Sequence, residues 1–360
     1  MNKISSFYEN KRVFVTGHTG FKGSWLCIWL KHLGAHVTGF SIDVNTNEDN
    51  YAVSRIGDKI DDIRGDVSDT EQISAAIQAS QPEIVFHMAA QPLVRESYQN
   101  PHITYMTNVM GTLNLLEAIR SCNSVKSVVI ITTDKCYRNK EWVWGYREND
   151  ELGGYDPYSS SKACCELLVD SYRKSFFNLN DNQNREIGIA TARAGNVIGG
   201  GDWSKDRIIP DCIRSLMSRK PIMIRNPGAT RPWQHVLEPL GGYLHLALKL
   251  FQEPTKYSEA FNFGPNPEGI IEVRHVVTKL VDYFGEGSWE APGNKIQVHE
   301  ANLLSLDISK SKNMLGWHPV WDIDEAIGKT ADWYKNFRQT DVYDMCVNQI
   351  KEYEKRIACG

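Results

Sequence analysis

Residues 12–23, RVFVTGHTGFKG, decide the fold of this chain. The run RVFVT is largely apolar and ends at a glycine, which is typical of a buried parallel strand. Three glycines follow at GxxGxxG spacing, and residues 20–33 then carry the apolar pattern of a helix. Glycines between a strand and a helix let the backbone approach a pyrophosphate, and the helix N-terminus offers N–H donors. The stretch therefore predicts a dinucleotide site made by Gly17, Thr19, Gly20, Phe21, Lys22 and Gly23.

Strands and helices alternate along the first half of the chain, outward from this stretch. Further strands are predicted at 36–40, 62–64, 83–88, 127–132 and 187–192, with helices at 69–79, 101–121 and 157–177. This alternation predicts an α/β fold, a Rossmann-type doubly wound parallel sheet with a smaller mixed α/β substrate-binding lobe. We assign 1–195 and about 235–265 to the dinucleotide-binding domain, about 196–234 and 266–340 to the smaller lobe, and 341–360 to a C-terminal helix.

The composition is that of an ordinary globular protein, with 41% hydrophobic and 23% charged residues among 360. A net charge of -4 without a basic run argues against a nucleic-acid partner. No apolar stretch approaches the roughly 20 residues that span a bilayer, and the first residues lack a signal-peptide core. We therefore expect a cytoplasmic protein with no membrane partner. Eight scattered cysteines without a CxxC pair predict reduced thiols and no metal site.

A carboxylate follows the second predicted strand. Asp43 lies twenty residues beyond Gly23, where it can accept hydrogen bonds from the ribose hydroxyls of a dinucleotide and would repel a 2′-phosphate. This position favours NAD over NADP as the cofactor, although an ordinary loop aspartate is the alternative. Asp66, which precedes Val67 after the third predicted strand, is a second candidate for the adenine edge.

A tyrosine and a lysine open the helix after the fifth predicted strand. Tyr158 and Lys162 are four residues apart, so they lie on one helix face. We expect the nearby ammonium to lower the pKa of the phenol from about 10, so that the tyrosine can act as a base. A YxxxK pair alone is common on helix surfaces. Its place after a glycine-rich loop and five strands favours a catalytic role.

These motifs, with the TTDK string at 132–135, resemble the extended short-chain dehydrogenases/reductases that act on nucleotide sugars. The resemblance covers nearly the whole chain. It implies a hydride-transfer triad of Tyr158, Lys162 and Thr133, with both helix residues also touching NAD. It further implies that the backbone at Ala89 and Ala90 follows the cofactor. Three further roles are implied: Asn108 supports the cofactor site, Gln91 reaches the sugar, and paired long helices form a homodimer or homotetramer.

The residues after Thr133 separate branches of this family. Epimerases carry small or hydroxyl residues at the position of Asp134, whereas dehydratases acting on dTDP-glucose carry Thr-Asp-Glu, with Asp as acid and Glu as base. Here Lys135 replaces the glutamate. This departure leaves two roles open for Lys135: it removes the C5 proton of the sugar, or it only orients Asp134.

Four longer strings narrow the resemblance to the branch that dehydrates CDP-glucose. They are GHTGFKGSWL at 17–26, TTDKCYRNKEWVWGY at 132–146, RAGNVIGGGDW at 193–203 and ATRPWQHV at 229–236. The implied reaction oxidises C4, eliminates water across C5 and C6 and returns hydride to C6, giving CDP-4-keto-6-deoxyglucose for deoxysugar biosynthesis. The implied diphosphate contacts are Arg231 and Asn196, with Arg207 and Asn262 as weaker candidates.

Other readings stay open at this point. A different nucleotide-sugar 4,6-dehydratase or an epimerase shares the fold and most motifs. A non-catalytic dinucleotide sensor is disfavoured because the tyrosine, the lysine and the acid are all present. The aromatic residues at 141–158 suit a wall of the sugar pocket, core packing or a subunit contact equally well.

Overall fold

The computed structural model describes residues 2–177, 186–291 and 303–359. Its centre is a seven-stranded, fully parallel sheet with the strand order β11-β6-β5-β4-β1-β2-β3. The predicted Rossmann-type sheet is thus confirmed. In chain order the strands are β1 Arg12–Thr16, β2 His36–Ser41, β3 Asp61–Arg64, β4 Ile84–His87, β5 Ser127–Ile131, β6 Gly188–Ala194, β7 Val197–Ile198, β8 Ile222–Met223, β9 Thr230–Pro232, β10 Gln234–His235, β11 Ala260–Phe263, β12 Ile270–Glu272 and β13 Trp289–Glu290.

Helices cover both faces of this sheet. They are α1 Asn2–Tyr8, α2 Phe21–His32, α3 Asn50–Ser54, α4 Thr70–Ser80, α5 Val94–Gln99, α6 Pro101–Tyr105, α7 Gly111–Arg120, α8 Pro157–Ser175, α9 Ile208–Met217, α10 Leu237–Gln252, α11 Pro254–Tyr257, α12 Val273–Phe284, α13 Ile323–Asn336 and α14 Val342–Cys359. Helix α1 was not predicted. Residue 360 of the predicted C-terminal helix and residues 292–302 of the predicted smaller lobe lie outside the described ranges.

The strands of the main sheet are buried on both faces, as their nearly continuous apolar runs require, except for the polar edge strand β3. Side chains alternate between the faces of a strand, so Val13 and Val15 of β1 pack with α2 and α10 while Phe14 packs in a separate cluster with α4 and α7. Each face of the sheet therefore has its own apolar core. This double burial fixes the strand register, because a slip of one residue would exchange the two sets.

The order of winding reverses at β1. Thr16 at its end is paired with Phe40 of β2 on one side and with His87 of β4 on the other. In open parallel sheets the crevice at such a reversal, outside the carboxyl ends of the strands, is where ligands bind. The chain continues from these three strand ends into Gly17, Ile42 and Met88, which brings three predicted site segments to one edge.

The predicted helix at 101–121 is interrupted. A π turn, Met106–Met110, separates α6 from α7. Thr112 donates its hydroxyl to the Asn108 carbonyl oxygen at 2.6 Å, and this bond and the sulfhydryl of Cys165 satisfy that carbonyl. Such turns inside helices recur at functional sites because the extra residue redirects one side chain. Here the redirected side chain is Asn108, which is buried between α7 and α8.

The second half of the chain forms short pairs of strands beside the main sheet. The pairs are β7 with β10, β9 with β12, and β8 with β13. Helix α14 closes the back of the molecule, where the Tyr353 hydroxyl donates to the carboxylate of Glu238 at 2.8 Å. Among the described residues no helix combines the length and the apolar character that crossing a bilayer requires.

Candidate active site

The carboxyl ends of the sheet strands border a cavity of 1240 Å³. Most of the predicted site residues line it. They are Gly17, Thr19, Gly20, Phe21, Lys22, Gly23, Asp43, Asp66, Val67, Ala89, Ala90, Thr133, Lys135, Tyr158, Lys162, Asn196, Arg207 and Arg231. Four predicted residues do not line it, namely Gln91, Asn108, Asp134 and Asn262.

The glycine-rich loop leaves a cradle that only glycines permit. Gly17 has φ +71°, and a Cβ atom added to it would lie 2.6 Å from the Ala89 nitrogen. A Cβ on Gly23 would lie 2.1 Å from the Gly17 carbonyl oxygen. Gly20 begins α2 without a side-chain cap, so the first N–H groups of the helix are open to a ligand. A backbone cradle in front of an uncapped helix N-terminus fits the pyrophosphate of a dinucleotide.

The opposite rim of this end carries the predicted acidic residue. The Asp43 side chain is 90% exposed and 3.8 Å from the Arg64 guanidinium. Arg64 is itself held by Asp62 at 2.9 Å and by the Tyr51 hydroxyl at 2.8 Å. Because Arg64 is held more closely by Asp62 and Tyr51 than by Asp43, the exposed carboxylate of Asp43 remains available at the rim, and it fits ribose hydroxyls better than a phosphate.

The turn after β5 holds the predicted catalytic triplet. The Thr133 hydroxyl donates to Asp134 Oδ1 at 2.9 Å, and Lys135 Nζ lies 3.4 Å from the same oxygen. Asp134 itself is fully buried and lies just beneath the cavity surface. Its Oδ2 has no hydrogen-bond partner among the described residues and would be 3.1 Å from a Cβ placed on Gly195. Thr133 and Lys135 therefore reach the cavity while Asp134 stands behind them, and a contact of Asp134 with the sugar stays a prediction.

Helix α8 brings the tyrosine and lysine to this turn. Asp156 caps the helix by accepting from the Ser159 nitrogen at 2.9 Å, and Pro157 occupies the first helical position. The side chain of Thr133 lies close enough to the Tyr158 hydroxyl to act against the raised pKa of the phenol. Lys162 donates from Nζ to the Ile131 carbonyl oxygen at 3.1 Å. The two side chains therefore meet the end of β5 as predicted from their spacing.

The electrostatics of the tyrosine differ from the prediction. Burial raises the pKa of Tyr158 to about 12, although Thr133 and the charge of Arg207 act in the opposite direction. Burial also lowers the pKa of Lys162. The expected lowering of the phenol pKa is thus wrong for the protein without ligands, because loss of water around the phenol outweighs the nearby cations.

A third lysine, Lys22, lines the cavity between its two ends. Burial, followed by the charge of Arg207, lowers the pKa of Lys22 to about 7. Asp134 opposes this shift, while Lys162 and Lys135 add to it. Lys22 is thus part of a cluster of cations around the catalytic turn. The glycine motif draws attention to the loop's backbone, and nothing in that pattern indicates where this side chain points.

Asn108 and Gln91 form a support behind the cavity. Asn108 accepts from the Gln91 nitrogen at 2.8 Å and donates to the Ser161 hydroxyl at 2.8 Å. The Gln91 amide is taken up by the Leu93 backbone and by the Thr104 hydroxyl, at 2.9 Å from the latter. These bonds tie the segment after β4 to α8. They argue against direct contact of Asn108 with the cofactor or of Gln91 with the sugar.

Of the residues predicted to bind the substrate in the second half of the chain, some line the cavity and one is buried away from it. Asn196 lines the cavity, and its buried side-chain oxygen has no partner among the described residues. Arg231 lines it too, from β9, while Arg207 is paired with Asp202 at 2.8 Å. Asn262 is fully buried and bonded to the Tyr137 hydroxyl and to two backbone carbonyls. Its predicted contact with substrate is corrected, because its side chain is saturated inside the protein.

The aromatic segment after the catalytic turn has two roles in the structure. The ring of Tyr146 stacks on Tyr137 at 5.2 Å and on Trp142 at 5.1 Å. This stack supports the neighbouring residues 138–141, which line the cavity. Tyr155 lines the cavity as well but is 77% exposed, and Trp144 is 69% exposed. The interpretations as core packing and as a cavity wall therefore apply to different members of the segment.

An ion-pair group at the cavity was missed by sequence reasoning. Asp206 lies 3.2 Å from Arg95 on α5 and 3.1 Å from Arg225, which follows β8. All three line the cavity. No motif marks them, because they come together only when the second half of the chain folds over the end of β4. Asp206 also has a positive φ of +61°, which the residues around it in the sequence do not indicate.

Comparison with known proteins gives consistent relatives. The family described as GDP-mannose 4,6 dehydratase matches residues 14–330. The chain is 50% identical over 350 residues to the CDP-glucose 4,6-dehydratase of Salmonella typhimurium strain LT2, covering 97% of each chain. It is 25% identical to a dTDP-glucose 4,6-dehydratase of Xanthomonas campestris pv. campestris, covering 89% of this chain and 92% of that protein.

Solved structures share the fold. A dTDP-glucose 4,6-dehydratase from Streptomyces venezuelae, solved with NAD bound, has a TM-score of 0.77 at 21% identity, with 91% of this chain and 98% of that chain covered. The UDP-glucuronic acid 4-epimerase of Bacillus cereus has a TM-score of 0.76 at 23% identity, with coverage of 90% and 99%. A match over most of the chain and 50% identity to a relative show that the chain belongs to the GDP-mannose 4,6-dehydratase family of extended short-chain dehydrogenases/reductases.

Proposed function

We propose that this protein catalyses the NAD-dependent 4,6-dehydration of CDP-glucose to CDP-4-keto-6-deoxyglucose. The observation that carries the proposal is the meeting of Thr133, Tyr158, Lys162 and Lys135 at one end of a cavity whose other end is a glycine cradle. The identity of 50% with a CDP-glucose 4,6-dehydratase supports the choice of sugar nucleotide. Asp134 beside Thr133 supports dehydration over epimerisation, since elimination of water needs an acid near C6.

Residues of the glycine end would hold NAD. Gly17, Gly20 and Gly23 would receive its pyrophosphate, and Asp43 would accept from its ribose hydroxyls. Bound NAD would supply the acceptor for the hydride of C4 and the donor that returns it to C6. Within the chain itself, the charge of Arg207 acts against the raised pKa of Tyr158.

The tyrosine carries the first proton transfer. Tyr158, beside Thr133, removes the proton from the C4 hydroxyl as that carbon is oxidised. Thr133 donates to Asp134 in the protein without substrate and can turn its hydroxyl to the sugar when substrate arrives. Arg207 favours the phenolate through its charge. Tyr158 holds this proton through the later steps and releases it to solvent after the product leaves, which restores the starting state.

The turn residues carry the elimination. The C4 ketone acidifies the C5 proton, which Lys135 removes from its place on the cavity wall. Asp134, which enters this step with a proton, gives it to the departing C6 hydroxyl after its carboxyl rotates past Gly195, where the missing side chain leaves space beside Oδ2. Lys135 returns its proton to C5 as the hydride is delivered to C6, and Asp134 regains a proton from solvent. A Lys135→Met variant separates the base from an orienting role. We expect C5 exchange with solvent to stop in it, and exchange at the parent rate would assign the base elsewhere.

The second-half segments would bind the nucleotide. Arg231 and Asn196 would contact the diphosphate, since cationic and amide donors suit its oxygens and both residues line the cavity. Residues 196–234 and 266–340 would form the substrate-binding lobe.

Two chains would pair through α6–α7 and α8. This surface carries exposed apolar side chains, among them Ile103 at 56% and Leu167 at 60% exposure. Sedimentation equilibrium of the purified protein tests this pairing. A single species with the mass of one chain would contradict it.

A substrate panel tests the proposal. The protein is incubated with NAD and, in turn, with CDP-, UDP-, dTDP- and GDP-glucose, and the 4-keto-6-deoxy product is measured by its absorbance in alkali and by mass. We expect product with the CDP sugar at a rate at least tenfold above the others, as one base-specific contact can supply. Equal rates with several bases, or product from another sugar nucleotide alone, would overturn the assignment of substrate.

A further inference from the structure

A fully buried ion pair lies beneath the catalytic turn. Arg193 of β6 donates from Nη2 to the carboxylate of Glu166 on α8 at 2.7 Å. Their side chains are 4% and 2% exposed, so water does not share this contact. A buried ion pair contributes little to stability on average, because removing both charges from water costs about as much free energy as their attraction returns. The pair is therefore better explained by a role in positioning the groups around it.

Glu166 holds the end of the catalytic strand. It accepts from the hydroxyl of Thr132, which directly precedes the proposed catalytic Thr133. It also accepts from the Thr191 hydroxyl at 2.7 Å. Thr191 lies in β6, and Thr132 directly follows β5, which is paired with β6. One carboxylate therefore fixes the spacing of these two strands where the catalytic turn begins. A change in the orientation of Thr132 would therefore displace its neighbour Thr133.

Arg193 holds the wall of the cavity from below. Its Nη1 donates to the Tyr137 hydroxyl at 2.7 Å and to the Glu148 carbonyl oxygen at 3.0 Å. The Tyr137 hydroxyl donates in turn to Asn262 at 2.7 Å. Tyr137 and Glu148 bracket the segment whose residues 138–141 line the cavity. The pair therefore joins the catalytic turn to this wall.

The pair also sets charge beside the proposed catalytic helix residues. Glu166 lies four residues after Lys162, a rise of about 6 Å along α8. Its carboxylate opposes the effect of burial on the lysine. Arg193 offsets that carboxylate, so the two together leave little net charge near the phenol and the ammonium.

We propose that Glu166 and Arg193 are positioning residues for this reaction, which together hold the turn at Thr133, fix the cavity wall and balance the charge beside Lys162. The inference rests on the proposed function for its catalytic consequence. Neither residue touches the cavity, so both act through Thr132, Tyr137 and Lys162.

The test compares the pH dependence of kcat/KM in Glu166→Gln, Arg193→Met and the double variant. Removing the anion favours loss of protons nearby, so Glu166→Gln should move the profile about 0.5 pH unit or more toward acid. Arg193→Met leaves the anion alone and should move it by a similar amount toward alkali. The double variant should return close to the parent position. The other titratable or charged groups facing Tyr158 and Lys162 stay in place in all variants: Lys22, His87, Asp134, Cys136, Asp156, Cys165, Arg207 and Tyr243.

Glu238 provides the matched control. It is also a fully buried glutamate on a helix, but it is held by the Trp321 nitrogen and Tyr353 at the back of the molecule. Glu238→Gln should leave the pH profile in place. A purely structural role for the Glu166 pair predicts lower rates with unmoved profiles in all variants, and that result would overturn the inference.

Amide hydrogen exchange gives a readout that does not need turnover. We expect Glu166→Gln and Arg193→Met to speed exchange at least tenfold in residues 131–148, and Glu238→Gln to leave this segment unchanged. The double variant leaves no unpaired charge in the interior and keeps the test available where a single variant does not fold; its exchange should rise as well. If the parent fails to dehydrate CDP-glucose, the proposed function fails, and unchanged exchange at 131–148 separately overturns the positioning role.

Discussion

The two ends of the cavity are built by different means. The cofactor end depends on absent atoms: Gly17 and Gly23 approach neighbouring backbone within distances that no Cβ allows. The catalytic end depends on polar side chains: Thr133 lies beside Tyr158 and donates to the buried carboxylate of Asp134. The first end should therefore fail when an atom is added, and the second when a polar group is removed.

Removing the phenol should have the largest effect. Tyr158→Phe takes away the group that accepts the C4 hydroxyl proton, and we expect kcat for CDP-glucose to fall about 1,000-fold. Binding of NADH, followed by fluorescence, should change little. The control is Tyr172→Phe on the same helix, whose hydroxyl bonds to Glu117 far from the turn. Retention of a tenth of the parent rate in Tyr158→Phe would contradict the catalytic assignment.

Adding one carbon at the cofactor end should come next. A Cβ in Gly23→Ala would lie 2.1 Å from the Gly17 carbonyl oxygen, so the loop must move by about an ångström. A shift of that size costs about 100-fold, and we expect the Kd for NADH to rise by that factor. Gly228→Ala, with no atom within 4 Å of the added carbon, is the control. Equal affinity in both variants would show that the cradle does not bind the cofactor.

The same contrast explains what the sequence could predict. Glycines spaced in this way after an apolar strand predict a tight turn and a backbone cradle, so the sheet and the cradle could be predicted from local sequence pattern. The pair Tyr158 and Lys162 also follows, because helix periodicity fixes their relation. The burial of Asp134 could not be predicted, because its carboxyl packs near residues distant in the sequence, among them Gly195 between β6 and β7. Arg193 and Glu166, 27 residues apart, meet only because α8 packs on the sheet. Arg193 begins the string at 193–203, but nothing in that string indicates a partner on α8.

A carbon added at the catalytic end should have a smaller effect. In Gly195→Ala the new Cβ would lie 2.9 Å from Pro232 Cγ on one side and 3.1 Å from Asp134 Oδ2 on the other, so it narrows the space in which the carboxyl can rotate. We expect the elimination to slow about tenfold while oxidation at C4 continues, since hindered proton transfer costs a part of the acid's contribution. Rapid-quench analysis should then find the CDP-4-ketoglucose intermediate accumulating. Slower oxidation with no such accumulation would place the damage elsewhere.

Replacing the cation between the two ends should have the smallest effect. Because the pKa of Lys22 is lowered to about 7, the unfolded chain binds a proton that the folded one lacks above pH 7. Parent stability, relative to Lys22→Met, should therefore rise with pH from about 7 upward, by about 1 kcal/mol per pH unit. Urea unfolding of the cofactor-free protein at pH 7 and 8 measures this. A difference that falls or stays level would contradict the buried cation.

The fate of the C4 hydrogen tests the account most directly. CDP-glucose labelled with deuterium at C4 is converted in the presence of NAD, and the product is examined by NMR and mass spectrometry. The proposed oxidation at C4 with return of the hydride inside one site predicts deuterium on C6 of the 4-keto-6-deoxy product. Deuterium found in solvent or in released NADH, or a product that keeps it at C4, would contradict the account.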